Sequence, residues 1–284
     1  MRWGIRVATD REAGGGHAVR CAALARALAS PVIVFADPDQ TALDKSEAWP
    51  SRVVGERGRE SADAARSAFR SGEIDALIFD SYWIAESEID DASAIGFTAV
   101  FRDGERPGKE TIVIDPRPEA DVGRRGLAGS AYMPLPSRFA DLHDAARGQL
   151  CRSSGLLRVL VTFGHRDSTQ RTLCAVEALS KVQAGIQVTA ILGPDYSEPR
   201  AVHVIAADDN RFEIQPAPDD LVAVFKDYDL SIGAPGVTQF ERACCGLPAI
   251  LIAQNDRQVP LSQAWNASGA AMALGPDVNE IASA

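Results

Sequence analysis

Short apolar runs alternate along this chain with longer segments that separate them. Short apolar runs, such as residues 32–35 and 158–162, are typical of buried strands. The segments between many of these runs, such as residues 171–181, are longer and indicate helices. Because strands and helices alternate throughout, the pattern predicts parallel sheets with helices on both faces.

The bounds of these elements follow from the same pattern in each half of the chain. In the first half we predict strands over residues 5–8, 32–35, 76–79, 98–101 and 111–114, and helices over 18–29, 61–71 and 86–95. In the second half we predict strands over residues 158–162, 187–191, 212–215, 230–232 and 249–251, and helices over 171–181, 221–226, 237–245 and 260–267.

A polar stretch over residues 140–155 separates the two halves and predicts a domain boundary. We therefore expect an N-terminal domain over residues 1–150 and a C-terminal domain over 151–284, both of ordinary size. The predicted fold class is α/β, with two doubly wound, Rossmann-like domains that face a cleft. Ligands of such sheets bind beyond the carboxyl ends of the strands.

Three consecutive glycines, Gly14, Gly15 and Gly16, fill the predicted turn between the first strand and the first helix, and His17 follows them. Glycine lets a backbone approach a ligand closely, and a helix start offers free N–H groups that suit a phosphate. Histidine exchanges a proton near neutral pH, so the turn suggests a base or a donor aimed at an anionic ligand. The alternative is an ordinary glycine-rich turn, since the spacing matches neither a Walker loop nor the dinucleotide motif.

A second glycine-containing turn between a strand and a helix follows the predicted strand at residues 230–232. Gly233 and Gly236 form the turn, Thr238 opens a helix, and Glu241 lies one helical turn further on. Backbone N–H groups and the Thr238 hydroxyl suit a diphosphate, and the Glu241 carboxylate suits two ribose hydroxyls. The alternative is a capping box, because Thr238 and Glu241 also fit the Thr-x-x-Glu pattern.

Bulk composition narrows the class of function. A net charge of −10 argues against nucleic-acid binding, although one nucleotide needs only a local pocket. The five cysteines have no metal-site spacing, which favours a reducing compartment. No apolar run reaches the length of about 20 residues that a membrane helix needs. We therefore expect a cytoplasmic protein that contacts no membrane.

These motifs together resemble the nucleotide-sugar enzymes of the glycosyltransferase-B fold. Within that group the chain is most similar to the UDP-sugar hydrolases of pseudaminic acid biosynthesis, which release UDP from a 2,4-diacetamido-2,4,6-trideoxy-hexose. The resemblance spans most of the chain. It is carried by the following matched residues: Asp10, Gly14, Gly16, His17 and Arg20 of the first turn, the Asp80 and Tyr82 pair, Gly164 and Asp167, Gly236, Thr238 and Glu241, and Asn255.

The resemblance implies roles for these residues. His17 would activate the attacking water, the turn and helix of the second domain would hold UDP, Glu241 would bind the ribose, and Asn255 would contact the diphosphate or the sugar. The cluster from Asp256 to Gln258 also resembles the Asp-x-Gln region of the peptidoglycan N-acetylglucosaminyltransferases. The candidate catalytic residues are His17, Asp10 and Asn255, and the candidate substrate-binding residues are Gly14, Gly15, Gly16, Arg20, Tyr82, Gly164, Gly236, Val237, Thr238, Glu241, Arg257 and Gln258.

The chain departs from the family pattern at several positions of the second domain. Gly164-His-Arg-Asp167 stands where the family has Gly-Gly-Thr-Asp. Pro235 stands where the first residue of a Gly-Gly pair is expected, which removes one N–H group from the phosphate turn. Asp256 stands where the hydrolases have glutamine. The contacts with the nucleotide or the sugar are therefore expected to differ from those of the family.

The hypothesis at this stage is hydrolysis of a UDP-linked amino sugar, without a metal or other cofactor and with inversion at the anomeric carbon. Two alternatives stay open: a glycosyltransferase that uses a UDP-sugar donor, and a nucleotide-sugar binding protein without activity. The expected partner is the small-molecule substrate. A monomer is expected, and the sequence does not fix the oligomeric state.

Overall fold

The computed structural model describes residues 1–7, 15–28, 30–36, 52–54, 59–82, 84–105, 107–146, 155–183, 185–218 and 221–275. The chain divides into two compact units, Met1–Pro136 and Ser137–Ala284. The division lies ahead of the polar stretch at residues 140–155, because part of that stretch forms a helix that packs within the second unit. In this helix the backbone oxygen of Phe139 accepts a hydrogen bond from the Cys244 thiol.

The first unit is built on a parallel sheet that has seven strands in the described part of the chain. The strands are β1 (Trp3–Val7), β2 (Val32–Ala36), β3 (Arg52–Val54), β4 (Ala76–Asp80), β5 (Phe97–Phe101), β6 (Ile112–Asp115) and β7 (Gly126–Ala128). The helices are α1 (Gly16–Ala27), α2 (Arg59–Arg70) and α3 (Glu86–Ser93), and 3-10 turns cover Gly123–Arg125 and Ser130–Tyr132.

The strand order of this sheet is β3-β2-β1-β4-β5-β6-β7, and every pairing is parallel. The chain order therefore reverses between β1 and β4, which is the point where ligands of doubly wound sheets bind. Apolar clusters cover both faces: Val7, Val34 and Ile78 pack with Cys21 and Ala25 of α1 on one face. Residues of α2 and α3 cover the opposite face.

The second unit repeats this architecture with six strands among its described residues. The strands are β8 (Leu157–Thr162), β9 (Ile186–Leu192), β10 (Phe212–Pro216), β11 (Leu230–Gly233), β12 (Ala249–Leu251) and β13 (Met272–Ala273). The helices are α4 (Arg138–Ala146), α5 (Arg171–Ser180), α6 (Pro199–Asp208), α7 (Val222–Phe225), α8 (Val237–Cys244) and α9 (Val259–Ala267), and a 3-10 turn covers Asp256–Gln258.

The strand order β10-β9-β8-β11-β12-β13 places the reversal between β8 and β11. Its apolar core includes Val159 and Val161 of β8 and Val176 of α5, all fully or almost fully buried. The two parallel, doubly wound sheets confirm the predicted fold class. Five elements of the described chain were missed: the short strands β3, β7 and β13, and helices α4 and α6.

No helix in the described part of the chain is long and apolar enough to span a membrane.

Candidate functional site

His17 lies at the amino end of α1, one residue after the helix begins at Gly16. Gly15 forms the N-cap and supplies no side-chain cap, so the first N–H groups of the helix have no side-chain acceptor from that residue. The His17 residue is 6% exposed. The predicted helix start at residue 18 was therefore two residues late, and His17 belongs to the helix itself. Asp10 and Gly14, two other candidates of this turn, lie outside the described residues.

Asp80 ends strand β4, next to β1 in the sheet, and its carboxylate lies 2.6 Å from Nδ1 of His17. A carboxylate only accepts hydrogen bonds, so Nδ1 of His17 carries the proton and donates it to Asp80. Arg20 Nη2 also lies 3.2 Å from Nδ1, but it is a donor and cannot compete for that role. Nε2 is then the nitrogen with the free lone pair in the neutral imidazole. This is the arrangement of a histidine base whose orientation is fixed by a carboxylate.

Arg20 lies one turn after His17 in α1, and its guanidinium is held between two carboxylates. Its Nε lies 2.6 Å from Asp80, and its Nη1 and Nη2 lie 2.9 Å and 2.7 Å from the two oxygens of Asp103. Burial alone would raise the pKa of Asp80, but the charge of Arg20 and the contacts with His17 outweigh it and hold that pKa below its usual range. Asp80 therefore stays ionised, and Arg20 is placed to position Asp80 and Asp103.

Tyr82 completes this cluster from the loop after β4. Its hydroxyl donates to Asp103 at 3.0 Å, and its ring packs edge-on against the imidazole of His17 at 4.7 Å between centroids. Burial and the neighbouring Asp103 charge raise the pKa of Tyr82, so the phenol stays protonated and keeps donating. Asp103 itself has φ of 45°, a left-handed conformation that costs free energy for a residue with a side chain.

Cys21 lies beneath the cluster on α1. Its Sγ lies 3.1 Å from Asp80 Oδ2, and the residue is fully buried. Burial, followed by the charge of Asp80, raises the pKa of this thiol well above its ordinary value. Cys21 is therefore an unreactive donor to the carboxylate that orients His17.

In the second unit, the turn after β8 contains Gly164 and Asp167. Gly164 has φ of +87°, which only glycine adopts without strain, and open space lies beside its α-carbon. Asp167 is buried and accepts hydrogen bonds from the backbone N–H groups of Arg171 and Thr172 at 2.9 Å and 2.6 Å. Asp167 therefore fixes the start of α5, while the backbone at Gly164 leaves room for a ligand.

The turn after β11 leads into α8, which begins at Val237 with Gly236 as its N-cap. Thr238 is thus the second residue of the helix. The N-cap, Gly236, makes no side-chain hydrogen bond to the helix. A capping box needs the threonine at the N-cap itself and the glutamate at the third helical position. The capping-box alternative for Thr238 and Glu241 is therefore wrong. Glu241 is buried on the same helix, one turn beyond Thr238.

The polar cluster after β12 forms a 3-10 turn. Asn255 is its N-cap: the Asn255 side-chain oxygen accepts from the backbone N–H of Gln258 at 3.2 Å. The Gln258 side chain accepts from the N–H of Gln254, and the Gln254 amide reaches Asp167 at 3.3 Å. Asn255 and Arg257 are exposed. The turns after β8 and β12 are thus joined by side-chain hydrogen bonds within the second unit.

Arg242 lies in the same helix as Glu241 and is completely buried. Its guanidinium donates to the carbonyl oxygens of Ala234 at 3.2 Å and Thr162 at 2.8 Å. Burial lowers the pKa of Arg242 to about 10, against the opposing effect of the Glu241 charge. Neither Arg242 nor Asp103 is among the residues predicted from the sequence. Asp80 was noted only as part of a motif, because its partnership with His17 joins residues 63 positions apart.

Among the described residues, no group of three or more histidine, cysteine, aspartate or glutamate side chains is placed to hold a metal ion. The predicted residues instead form two groups. The first unit brings together His17, Arg20 and Tyr82 around Asp80. The second unit places its candidates on the loops after β8, β11 and β12 and in the first turns of α8: Gly164, Gly236, Val237, Thr238, Glu241, Asn255, Arg257 and Gln258.

Comparison with known sequences gives distant relatives. No family model matches the chain. An uncharacterised protein of Methanocaldococcus jannaschii is 23% identical over 89% of this chain. The chain spans only 56% of that protein's length. The spore coat polysaccharide biosynthesis protein SpsG of Bacillus subtilis is 21% identical over 97% of this chain and 84% of its own.

Comparison with solved structures gives similarity over the whole chain. MurG of Acinetobacter baumannii superposes with a TM-score of 0.71 at 16% identity, covering 99% of this chain and 89% of its own. The spinosyn rhamnosyltransferase SpnG, in complex with thymidine diphosphate, gives 0.63 at 16% identity, with 100% and 88% covered. MnaA of S. aureus in complex with UDP gives 0.61 at 11% identity, with 99% and 86% covered. The chain therefore has the two-domain, Rossmann-like fold of the glycosyltransferase-B type.

Proposed function

We propose that this protein hydrolyses a UDP-linked amino sugar of the 2,4-diacetamido-2,4,6-trideoxy-hexose type and releases UDP. The observation that carries the proposal is the pair formed by His17 and Asp80 at the strand-order reversal of the first unit. A carboxylate at 2.6 Å fixes the ring and leaves Nε2 as a base. The matching of this turn to the hydrolase motif supports water as the substrate of that base.

In the proposed reaction, a water oxygen bonds to the anomeric carbon while the bond from that carbon to the diphosphate oxygen breaks. The diphosphate leaves with the bonding electron pair, and Nε2 of His17 takes the proton from the attacking water. Asp80 stabilises the imidazolium that forms, and Arg20 keeps Asp80 ionised and in place. A single displacement inverts the anomeric configuration.

We assign nucleotide recognition to the second unit. The first N–H groups of α8 and the Thr238 hydroxyl suit the negative charge that develops on the leaving diphosphate. Glu241, on the same helix, is assigned to the ribose hydroxyls. Asn255 and Gln258, after β12, are assigned to the diphosphate or the sugar. MnaA and SpnG, which share the fold, have been solved with UDP and thymidine diphosphate, which supports a nucleoside diphosphate as the ligand class.

The second candidate function is transfer of the sugar to an acceptor other than water. Two similar proteins favour it: the spinosyn rhamnosyltransferase SpnG and the spore coat polysaccharide biosynthesis protein SpsG. The same base would then remove a proton from an acceptor hydroxyl. The two functions differ only in what His17 deprotonates, so they require the same donor site and are separated by the acceptor.

The deciding experiment incubates the purified protein with a panel of UDP-amino sugars in ¹⁸O-labelled water, without an acceptor, and measures UDP release. Hydrolysis predicts steady UDP release, one labelled oxygen on the sugar, and an inverted anomer in early proton NMR spectra. We also expect activity to persist in the presence of a chelator. UDP release that needs an added sugar or lipid acceptor would establish the transferase. Label on UDP would mean P–O cleavage and would contradict the role given to His17.

A further inference from the structure

The fully buried cation of Arg242 is unusual because of its partners. Among the described residues, its hydrogen bonds go to the carbonyl oxygens of Ala234 and Thr162 and, at 3.5 Å, to the side-chain oxygen of Gln239. None of these acceptors is charged, and its Nε has no hydrogen-bond partner in this part of the chain. A buried cation whose hydrogen bonds go only to uncharged acceptors costs free energy. The charge of Glu241, the preceding residue, offsets part of this cost, and a bound anion would offset more of it.

The position of the guanidinium indicates where the anion that it stabilises would bind. Helical side chains lean toward the amino end of their helix, so Arg242 in α8 reaches back under the first turn. There it contacts Ala234, which lies in the turn that precedes α8. The guanidinium charge therefore adds to the positive end of the helix at the turn where an anion would bind.

Glycine at position 233 leaves the space that the Arg242 guanidinium occupies. A methyl group on Gly233 would lie 2.1 Å from Nη2 of Arg242 and 2.2 Å from the backbone oxygen of Thr162. Any other residue at position 233 would therefore displace the guanidinium or separate the ends of β8 and β11. The turn also contains Pro235, which has no N–H to offer an anion.

We infer that Arg242 is a positioning residue for the diphosphate of the nucleotide, acting from beneath the turn at Ala234 to Gly236 by its charge. It ties together the strand ends on both sides of the strand-order reversal of the second unit, and it supplies positive charge that the proline-containing turn lacks. This inference rests on the proposed function only in its ligand class, a nucleoside diphosphate.

The test measures binding of UDP and of uridine to the protein by calorimetry and by NMR titration. Arg242→Gln removes the charge but keeps a donor for the Thr162 carbonyl, and Arg242→Lys keeps the charge but loses the planar fork. Arg242→Met removes both. Ser231→Ala is the matched control, since Ser231 is fully buried in β11 and its hydroxyl has no hydrogen-bond partner among the described residues.

We expect Arg242→Gln and Arg242→Met to weaken UDP binding by about tenfold or more, the effect of one unit charge near an anion in a partly buried setting. Uridine binding should change by less than about twofold, because uridine carries no phosphate. Arg242→Lys and Ser231→Ala should keep the wild-type preference for UDP over uridine. If Arg242→Met does not fold, as judged by circular dichroism, the Gln and Lys pair decides.

Equal losses for UDP and uridine would show that Arg242 is a structural tether and would overturn the inference. Unchanged UDP affinity in Arg242→Gln would overturn it as well. If the wild-type protein bound thymidine diphosphate or pyrophosphate instead of UDP, with the same dependence on Arg242, the inference would stand and the proposed substrate would fall. If it bound no diphosphate, both would fall.

Discussion

The strand-order reversals of the two units have the same topology and opposite chemistry. In the first unit, the reversal between β1 and β4 is filled by side chains that hold one another: His17, Arg20, Asp80, Tyr82 and Asp103. In the second unit, the loops after β8 and β11 present backbone around Gly164 and Gly236. Arg242 lies beneath, and its hydrogen bonds within the described part of the chain go to uncharged acceptors.

This difference matches the two tasks that we propose for the two units. The proposed base must hold a fixed orientation, and in the first unit the charges of the cluster are paired with one another. The proposed nucleotide site must keep donors available until the ligand arrives. The helix N–H groups of α8 and Arg242, whose described hydrogen bonds go to uncharged acceptors, meet that need. Substitutions in the first cluster should therefore affect turnover, and substitutions in the second unit should affect affinity.

The largest effect is expected at His17. His17→Asn should lower kcat by about 10²–10⁴-fold, the usual contribution of a general base, while UDP affinity stays unchanged. Steady-state UDP release and calorimetric titration with UDP check both parts. Val19→Ala, on the exposed side of the same helix, is the control. Turnover within about threefold of wild type, less than a general base contributes, would remove His17 from the mechanism.

Asp80→Asn should have the next largest effect. It replaces one acceptor oxygen with an amide group that donates, so the His17 tautomer is no longer fixed, and it removes one of two counter-ions of Arg20. We therefore expect kcat to fall by about 10²-fold or more and the melting temperature to drop. Asp115→Asn is the matched control, because Asp115 is also buried at a strand end and paired with an arginine, Arg117. If the two variants lost activity equally, Asp80 would have no special role.

The same variant makes a prediction about pH. The pKa of Asp80 is lower in the folded protein than in the unfolded chain, so its contribution to the free energy of unfolding is present above about pH 4 and is lost as the pH falls below that value. The stability difference between wild type and Asp80→Asn should therefore shrink from pH 5 to pH 2. Denaturant titrations across that range measure it, and a constant difference would contradict the assigned charge state.

Glu241→Ala tests the second unit. It should weaken UDP binding by about tenfold or more, the value of hydrogen bonds to a charged acceptor, with little change in kcat. Glu213→Ala, an exposed carboxylate on β10, is the control. A lower melting temperature with unchanged UDP affinity would mean that Glu241 serves only the packing of α8.

The smallest effect is expected at Asp167. Asp167→Ala removes the acceptor of two N–H groups at the start of α5 and should lower the free energy of unfolding by about 1 kcal/mol. Chemical denaturation measures this change, with Asp227→Ala, at an exposed aspartate, as the surface control. A loss of UDP affinity larger than the loss in stability would instead assign Asp167 to ligand binding.

Most of the longer strands could be predicted because they are buried on both faces of the sheet and their residues therefore form continuous apolar runs. Strand β12 was predicted with its observed bounds, and β8 to within one residue. The missed strands are short: β13 has two residues and β7 has three. Runs of that length carry no periodicity. Helix α6 was missed although Pro199 at its first turn is a known start signal.

The site could be predicted only where its chemistry is local in sequence. The glycines and His17 are adjacent, and Thr238 and Glu241 lie one helical turn apart. The partners of Arg20 are 60 and 83 residues away, and the contact of Arg242 with Thr162 spans 80 residues. No local pattern marks such pairs, because they depend on which strands become neighbours in the sheet.

The Cys21 thiol has a practical consequence. In the native protein its burial and its bond to Asp80 keep it from thiolate-directed reagents, so labelling of Cys21 requires the first unit to open around its charged cluster. Pulsed alkylation followed by peptide mass spectrometry would therefore measure the rate of Cys21 labelling, which reports how often the first unit opens. Cys174, which is only partly buried in the second unit, provides an internal reference for the labelling rate of an accessible thiol in the same sample.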